Sequence, residues 1–183
     1  MNKKAKILLL IGIFFILLAI SLGIYFECKE IYSKRKSSEA MNIILEKTTN
    51  EEIKKDTINI DGTEYIGYLT IPSLELNLPI TKEYSYTSLS KSPAVYYGSI
   101  ESNNLVICGH SYTAHFGNLY KLKKEDIIII TDVNNNKYTY RVELTEILSP
   151  SNIKEMIESD FDLTIYTCTK DGLKRVTVRC NRI

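Results

Sequence analysis

The sequence predicts an all-β domain of short strands closing into a barrel or sandwich, set behind an N-terminal transmembrane helix. Two observations lead there. Residues Ile7 to Phe26 form 20 consecutive residues without a charge, which as a helix at ~1.5 Å per residue cover roughly 30 Å, one bilayer core. Beyond residue 56 the apolar period changes from helical to two, and turn signals interrupt it at short intervals.

Taken in order, residues 1–6 are a basic tail carrying Lys3, Lys4 and Lys6, and 7–26 are the apolar span. A cleaved signal peptide would fit the basic start, but its apolar core is usually shorter and no small-x-small pattern precedes Glu27. A lipid anchor at Cys28 is disfavoured by the bulky or charged Tyr25-Phe26-Glu27 before it. The span therefore reads as an uncleaved signal anchor. Its direction stays open, because Lys29, Lys34, Arg35 and Lys36 follow it as three Lys precede it. Residues 27–56 are charge-rich, lack Gly and Pro, and show patchy helical spacing around Ile31, Ala40, Met41, Ile44 and Leu45; they read as a partly helical stalk.

The domain follows from 57 to 183. Leu74, Leu76, Leu78 and Ile80 alternate with Glu75, Asn77 and Pro79, and Tyr138, Tyr140, Val142 and Leu144 alternate with Thr139, Arg141 and Glu143, as half-buried strands do. Further strands are expected at Glu64 to Ile71, Asn104 to Cys108, Ile127 to Asp132, Asp162 to Thr167 and Arg175 to Arg182. Turns are marked by Ile71-Pro72-Ser73, Val133 to Asn136 and Lys170-Asp171-Gly172. Helical spacing is confined to a turn near Asn118 to Lys121 and to Ser151 to Ile157, with Ser151 as a cap.

Charge narrows the function. The chain carries 23 Lys+Arg against 22 Asp+Glu, so a basic nucleic-acid footprint has no support. Past the span the balance is mildly acidic. The four Cys (Cys28, Cys108, Cys168, Cys180) form no CxxC pair, and the two His (His110, His115) lack ligand spacing, so no metal site is expected.

If the last two strands form a hairpin with Cys168 opposite Arg175, then Leu163, Ile165 and Thr167 share an apolar face with Cys180, Val178 and Val176. Shifts of two residues would sort the faces equally well. In this register Cys180 is core, roughly 16 Å down the hairpin from Cys168 at ~3.3 Å per residue, too far for a disulfide. Cys168 sits at the strand mouth beside a guanidinium that would stabilise a thiolate or an oxyanion. His110, at a strand end after Gly109, is the natural proton partner for a Cys nucleophile. Papain-like and caspase-like proteases fit poorly, the first for its Cys-before-His order and the second for its Gln-Ala-Cys signature, which is missing around Cys168.

These residues resemble those of a known family, the sortases. Thr164-Ile165-Tyr166-Thr167-Cys168 is similar to the TLxTC signature, with Ile165 in place of Leu; Val106 to His110 resembles the apolar-x-GH segment, Arg175 to Arg179 the last strand, and Ile71-Pro72 an early one. The resemblance covers about residues 64 to 183. It implies a closed eight-stranded β-barrel and an extracytoplasmic cysteine transpeptidase without a cofactor. Cys168 would be the nucleophile, His110 the general acid/base, Arg175 the oxyanion donor, and Thr167 a substrate contact. The substrates implied are surface proteins with an LPxTG-like sorting signal and an amine of a lipid-linked peptidoglycan precursor. A catalytic thiol outside the cell sets the N-terminus inside and the barrel outside.

Arg179 rivals Arg175 but lies about 13 Å further along the strand at ~3.3 Å per residue. His115 rivals His110 without the Gly-His context. Cys108 reads as a small hydrophobe. Pro72, Pro79, Pro93 and Pro150 follow Ile71, Leu78, Ser92 and Ser149, so no Asp-Pro-aromatic lid motif occurs, and no second span follows the last strand. Wall anchoring is therefore expected over pilin polymerisation. A hydrolytic cysteine protease and a non-catalytic interaction barrel are the alternatives.

Overall fold

The computed structural model describes residues 2–50 and 56–183. Met1 of the basic tail and residues 51–55 of the expected stalk lie outside the described residues. The chain divides into two units, Met1–Tyr32 and Ser33–Ile183. One helix, α1 (Lys3–Asn50), begins in the first unit and continues into the second. Its apolar part is long enough to cross a membrane and none of it is buried, so it fits a membrane anchor.

The second unit opens with the last five turns of α1. Ser33, Ser37, Ala40, Ile44 and Thr48 recur every three or four residues and are buried. Ala40 and Ile44 pack on Tyr65, with Ile60 and Tyr68 beside them, and Asn135 Nδ2 donates to the Thr48 carbonyl at 2.7 Å. The docked face is mostly small and polar, which is why the apolar residues alone gave only a patchy pattern.

Nine strands follow: β1 (Ile58–Ile60), β2 (Thr63–Ile71), β3 (Leu76–Thr81), β4 (Ala94–Tyr97), β5 (Leu105–Cys108), β6 (Ile127–Asp132), β7 (Lys137–Leu148), β8 (Leu163–Cys168) and β9 (Arg175–Arg182). Eight of them close in the order β2-β3-β4-β5-β8-β9-β7-β6 and back to β2, with β1 added as a hairpin on β2. The expected eight-stranded barrel is thus present. β1 and β4 escape sequence reading, being three and four residues long with no clean alternation.

Closure depends on Gly67. A bulge between Tyr65 and Gly67 turns Tyr65 outward to meet α1, while Leu69 and Ile71 point into the core. From Gly67 onward β2 leaves β1 and pairs with β6, Gly67 opposite Asp132. Gly67 has φ +146°, and a Cβ there would lie 2.0 Å from the Thr131 carbonyl oxygen, so only glycine fits.

The core fills the barrel with Leu69, Ile71, Leu78, Ile80, Ile107, Ile128, Ile130, Val142, Leu163, Ile165, Val178 and Cys180, among others. Short helices sit outside it. α2 (Tyr86–Leu89) carries a Ser85/Ser88 capping box that the sequence signalled as Ser-x-x-Ser and that was not expected. α3 spans Ile153–Ile157, with Asn152 and not Ser151 in the N-cap position and no side-chain cap bond from it. Ser151 lies outside because its hydroxyl is engaged with that of Ser149, 2.9 Å away, in the preceding turn.

Candidate active site

Three neighbouring strands, β5, β8 and β9, end at the same rim. β8 and β9 pair antiparallel with Cys168 opposite Arg175, Thr167 opposite Val176 and Leu163 opposite Cys180, the register set out from the sequence and here decided over its shifts by two. β5 and β8 are parallel, with Cys108 beside Tyr166. The Gly109 amide continues that pairing, donating to the Tyr166 carbonyl at 3.1 Å. Two residues beyond the Cys108–Tyr166 pair, Cys168 ends β8 and His110 stands in the loop that follows β5. The strand register and that loop set residues 58 positions apart in the chain at one rim.

The loop after β5 is shaped to hold His110. A Cβ on Gly109 would lie 2.6 Å from the Phe116 ring, which is fully buried, so Gly109 lets that ring close under the strand end. Phe116 donates its amide to the His110 carbonyl at 3.1 Å, and the His115 and Gly117 amides both donate to the Tyr112 carbonyl at 2.9 Å. The Tyr112 ring lies 4.7 Å from the His110 ring, tilted by 33°.

Cys168 is half-buried on the outer face of β8. Arg175 stands across from it, its Nη1 donating to the carbonyls of Lys174 (3.0 Å) and Gly172 (3.3 Å) in the turn between the strands. Thr167 points the other way. It is buried, and its hydroxyl donates to the Gly109 carbonyl at 2.8 Å, tying the Cys168 strand to the His110 strand.

A groove of about 150 Å³ leads to Arg175, lined by Tyr84, Tyr96, Tyr166, Ile153 and Met156 among others. The tyrosine rings meet edge to face, Tyr84 on Tyr96 at 5.5 Å and Tyr96 on Tyr166 at 5.6 Å. Sequence reading missed this wall because its members come from three separate segments.

The rivals have other positions. Arg179 is buried, paired with Glu146 at 2.8 Å, and its guanidinium also donates to Thr164 Oγ1 (2.9 Å), the Glu155 carbonyl (2.7 Å) and the Met156 carbonyl (3.3 Å). It pins α3 and with it the floor of the groove. His115 is fully buried, and desolvation lowers its pKa to about 4. Burial pushes the Cys108 thiol up to about 12, beneath Tyr166, and pushes Cys180 up in the barrel interior, so neither is a ready thiolate. Among the described residues no group of three or more His, Cys, Asp or Glu could hold a metal ion.

A family model described as the sortase domain matches residues 69–183, well over half of the chain. The chain belongs to the sortase family. A curated relative, sortase A of Bacillus anthracis, is 29% identical over 66% of this sortase and 60% of its own length. This chain thus spans less than two thirds of that relative. Among solved structures, a sortase D5 transpeptidase of Clostridium perfringens superposes with a TM-score of 0.67 at 22% identity, over 81% of this chain and 99% of the other. Sortase C1 of Streptococcus agalactiae gives a TM-score of 0.59 at 28% identity, over 68% and 70%. The first of these two likenesses concerns the fold alone.

Proposed function

We propose that this sortase is a cysteine transpeptidase in which Cys168 is the nucleophile, His110 the general acid/base and Arg175 the oxyanion donor. The observation that carries the reading is the register: Cys168 ends β8 opposite Arg175 at the start of β9, and His110 follows the end of neighbouring β5 by two residues, at a rim where Arg175 lines an aromatic groove.

The chemistry follows from the residue types. Cys168 Sγ attacks the Thr carbonyl of an LPxTG-like sorting signal lying in the groove, and the developing oxyanion accepts hydrogen bonds from Arg175. His110 protonates the leaving amine, which departs and leaves a thioester on Cys168. An incoming amine, deprotonated by His110, attacks the thioester and releases the product. The amine proposed is that of a lipid-linked peptidoglycan precursor, and the acyl donors are surface proteins bearing the signal, which become anchored to the wall. No step calls for a metal or cofactor. Residues 1–6 stay in the cytoplasm, 7–26 cross the membrane and the 57–183 barrel faces outward, where both substrates would meet it. Thr167 supports the substrate site by holding the strand that carries Cys168 against the strand that leads to His110.

The test uses the full chain in detergent micelles with Leu-Pro-x-Thr-Gly peptides and a series of amines. Mass spectrometry should find an acyl adduct on the Cys168 peptide and amine-bearing product, both abolished in a folded Cys168→Ala variant. If product never incorporates amine at saturating nucleophile, the enzyme is a hydrolase; if Cys168→Ala retains the activity, the site is wrong.

A further inference from the structure

The proposed reaction leaves His115, in the loop that carries His110, without a role. His115 and Ser33 of α1 are both fully buried and meet at 3.3 Å between His115 Nε2 and Ser33 Oγ. The other ring nitrogen, Nδ1, is buried with no hydrogen-bond partner among the described residues. Buried polar atoms are normally paired, so an imidazole here costs stability that a Leu or Phe of similar size would not. Burial keeps the ring neutral. A neutral imidazole donates from one nitrogen only. With Nε2–H donating to Ser33, the orphaned Nδ1 is a bare acceptor, which is easier to bury than an unpaired N–H.

The elements this contact joins give it meaning. Ser33 begins the buried face of α1 that continues through Ser37, Ala40, Ile44 and Thr48. On the other side, the Tyr112 ring lies 5.9 Å from His115 and 4.7 Å from His110. The His115 amide is bonded to the Tyr112 carbonyl, and the Phe116 amide to the His110 carbonyl. Three rings, His115, Tyr112 and His110, therefore run in succession from the docked helix to the proposed acid/base. A rotation of the first against α1 displaces the second, which stacks on the third.

We propose that His115 is a positioning residue: by hydrogen-bonding Ser33 it couples docking of α1 to the orientation of His110 through Tyr112. The segment of α1 from Ser33 is then part of the support of the site as well as its link to the span. The kinetic side of this proposal rests on the transpeptidase reading given above.

The experiment compares the full chain, Ser33→Ala, His115→Phe and His115→Gln in micelles at pH 7.5. Gln can place an amide N–H where Nε2 stands, so it keeps the Ser33 contact. Two readouts are taken. The first is kcat and KM for an accepted Leu-Pro-x-Thr-Gly peptide. The second needs no substrate: iodoacetamide labelling of the Cys168 peptide against pH, read by mass spectrometry. Ser33→Ala and His115→Phe should each lower kcat roughly fivefold to tenfold, about the factor one buried hydrogen bond is worth. KM should stay within about twofold, and the labelling profile should move to higher pH. His115→Gln should restore most of the rate.

Rates and profiles like the parent's in folded Ser33→Ala and His115→Phe proteins overturn the proposal. So does a loss in all three variants that merely follows their melting temperatures, since that marks a packing role. If the parent itself turns over no peptide, the transpeptidase reading fails, and the labelling profiles alone then decide for or against His115.

Discussion

Arg175 and Arg179 lie on the same face of β9, and replacing each by Ala separates a chemical role from an architectural one. Arg179 is 3% exposed and spends its guanidinium on four acceptors: Glu146, Thr164 Oγ1 and the carbonyls of Glu155 and Met156. Truncation leaves the Met156 carbonyl and the Thr164 hydroxyl buried without that donor, each costing about 1–3 kcal/mol, while the lost ion pair adds little because the Glu146 side chain is 37% exposed; together this predicts a loss of about 2–6 kcal/mol. That is a large part of the ~5–15 kcal/mol stability of a typical domain. Arg175 instead makes two contacts to carbonyls in the turn, and its removal should change stability by no more than about 0.5 kcal/mol. As an oxyanion donor it should nonetheless cost about 100- to 1,000-fold in kcat. Urea unfolding followed by far-ultraviolet circular dichroism gives the first quantity, and peptide turnover at a concentration of urea where both variants are folded gives the second. The reasoning is refuted if Arg175→Ala unfolds as early as Arg179→Ala. It is refuted equally if Arg179→Ala keeps the parent's urea midpoint while losing activity, because Arg179 would then be the substrate's partner.

Gly67→Ala should destabilise by more than about 4 kcal/mol and prevent stable barrel closure, since the new Cβ would lie 2.0 Å from a backbone oxygen on β6. Gly172→Ala is its control: it has φ +75° but open space around it, so about 1–2 kcal/mol is expected. Melting temperatures for the pair test both, and a Gly67→Ala protein melting within a few degrees of the parent would contradict the closure argument. For His115, the folded pKa of about 4 lies below the ordinary 6.5. The unfolded chain therefore binds the extra proton first, and stability present above pH 6.5 is lost as pH falls toward 4, by at most about 3 kcal/mol. The groups facing this ring are Ser33, Tyr112 and His110. Paired carboxylates such as Glu39 lose stability on the acid side as well, so the measurement is the difference between parent and His115→Gln in denaturant midpoint at pH 7 and pH 4.5. Parallel pH curves for the two proteins would refute it.

Much of the candidate site was legible because it rests on period-two patterning. Leu163, Ile165 and Thr167 against Val176, Val178 and Cys180 fix which faces of β8 and β9 turn inward, and only the register shift by two needed the structure to decide it. The membrane-length span was legible for the same kind of reason, a composition rule that needs no partner. What stayed hidden depends on distant partners. β4 is recognisable as a strand only because Thr81 and Cys108 lie on either side of Ala94. The docked face of α1 carries Ser33, Ser37 and Thr48, residues that propensity assigns to solvent. The tyrosine wall draws Tyr84, Tyr96 and Tyr166 from three segments, and nothing in their spacing links them.

The alternation that made β8 readable also explains how one strand serves two ends. Its outward residues Tyr166 and Cys168 face the groove and the rim, while Thr167 between them faces inward and bonds the Gly109 carbonyl. Because successive side chains point to opposite faces, the residue that fastens β5 to β8 must be adjacent to the residue that would carry the acyl group. Thr167→Val would keep the volume and lose the hydroxyl, leaving the Gly109 carbonyl without that donor and loosening the backbone immediately before His110. A strand carrying the proposed nucleophile on one face thus holds the strand end that leads to His110 with the other. The Thr-Cys pair in the sequence is the trace of that arrangement.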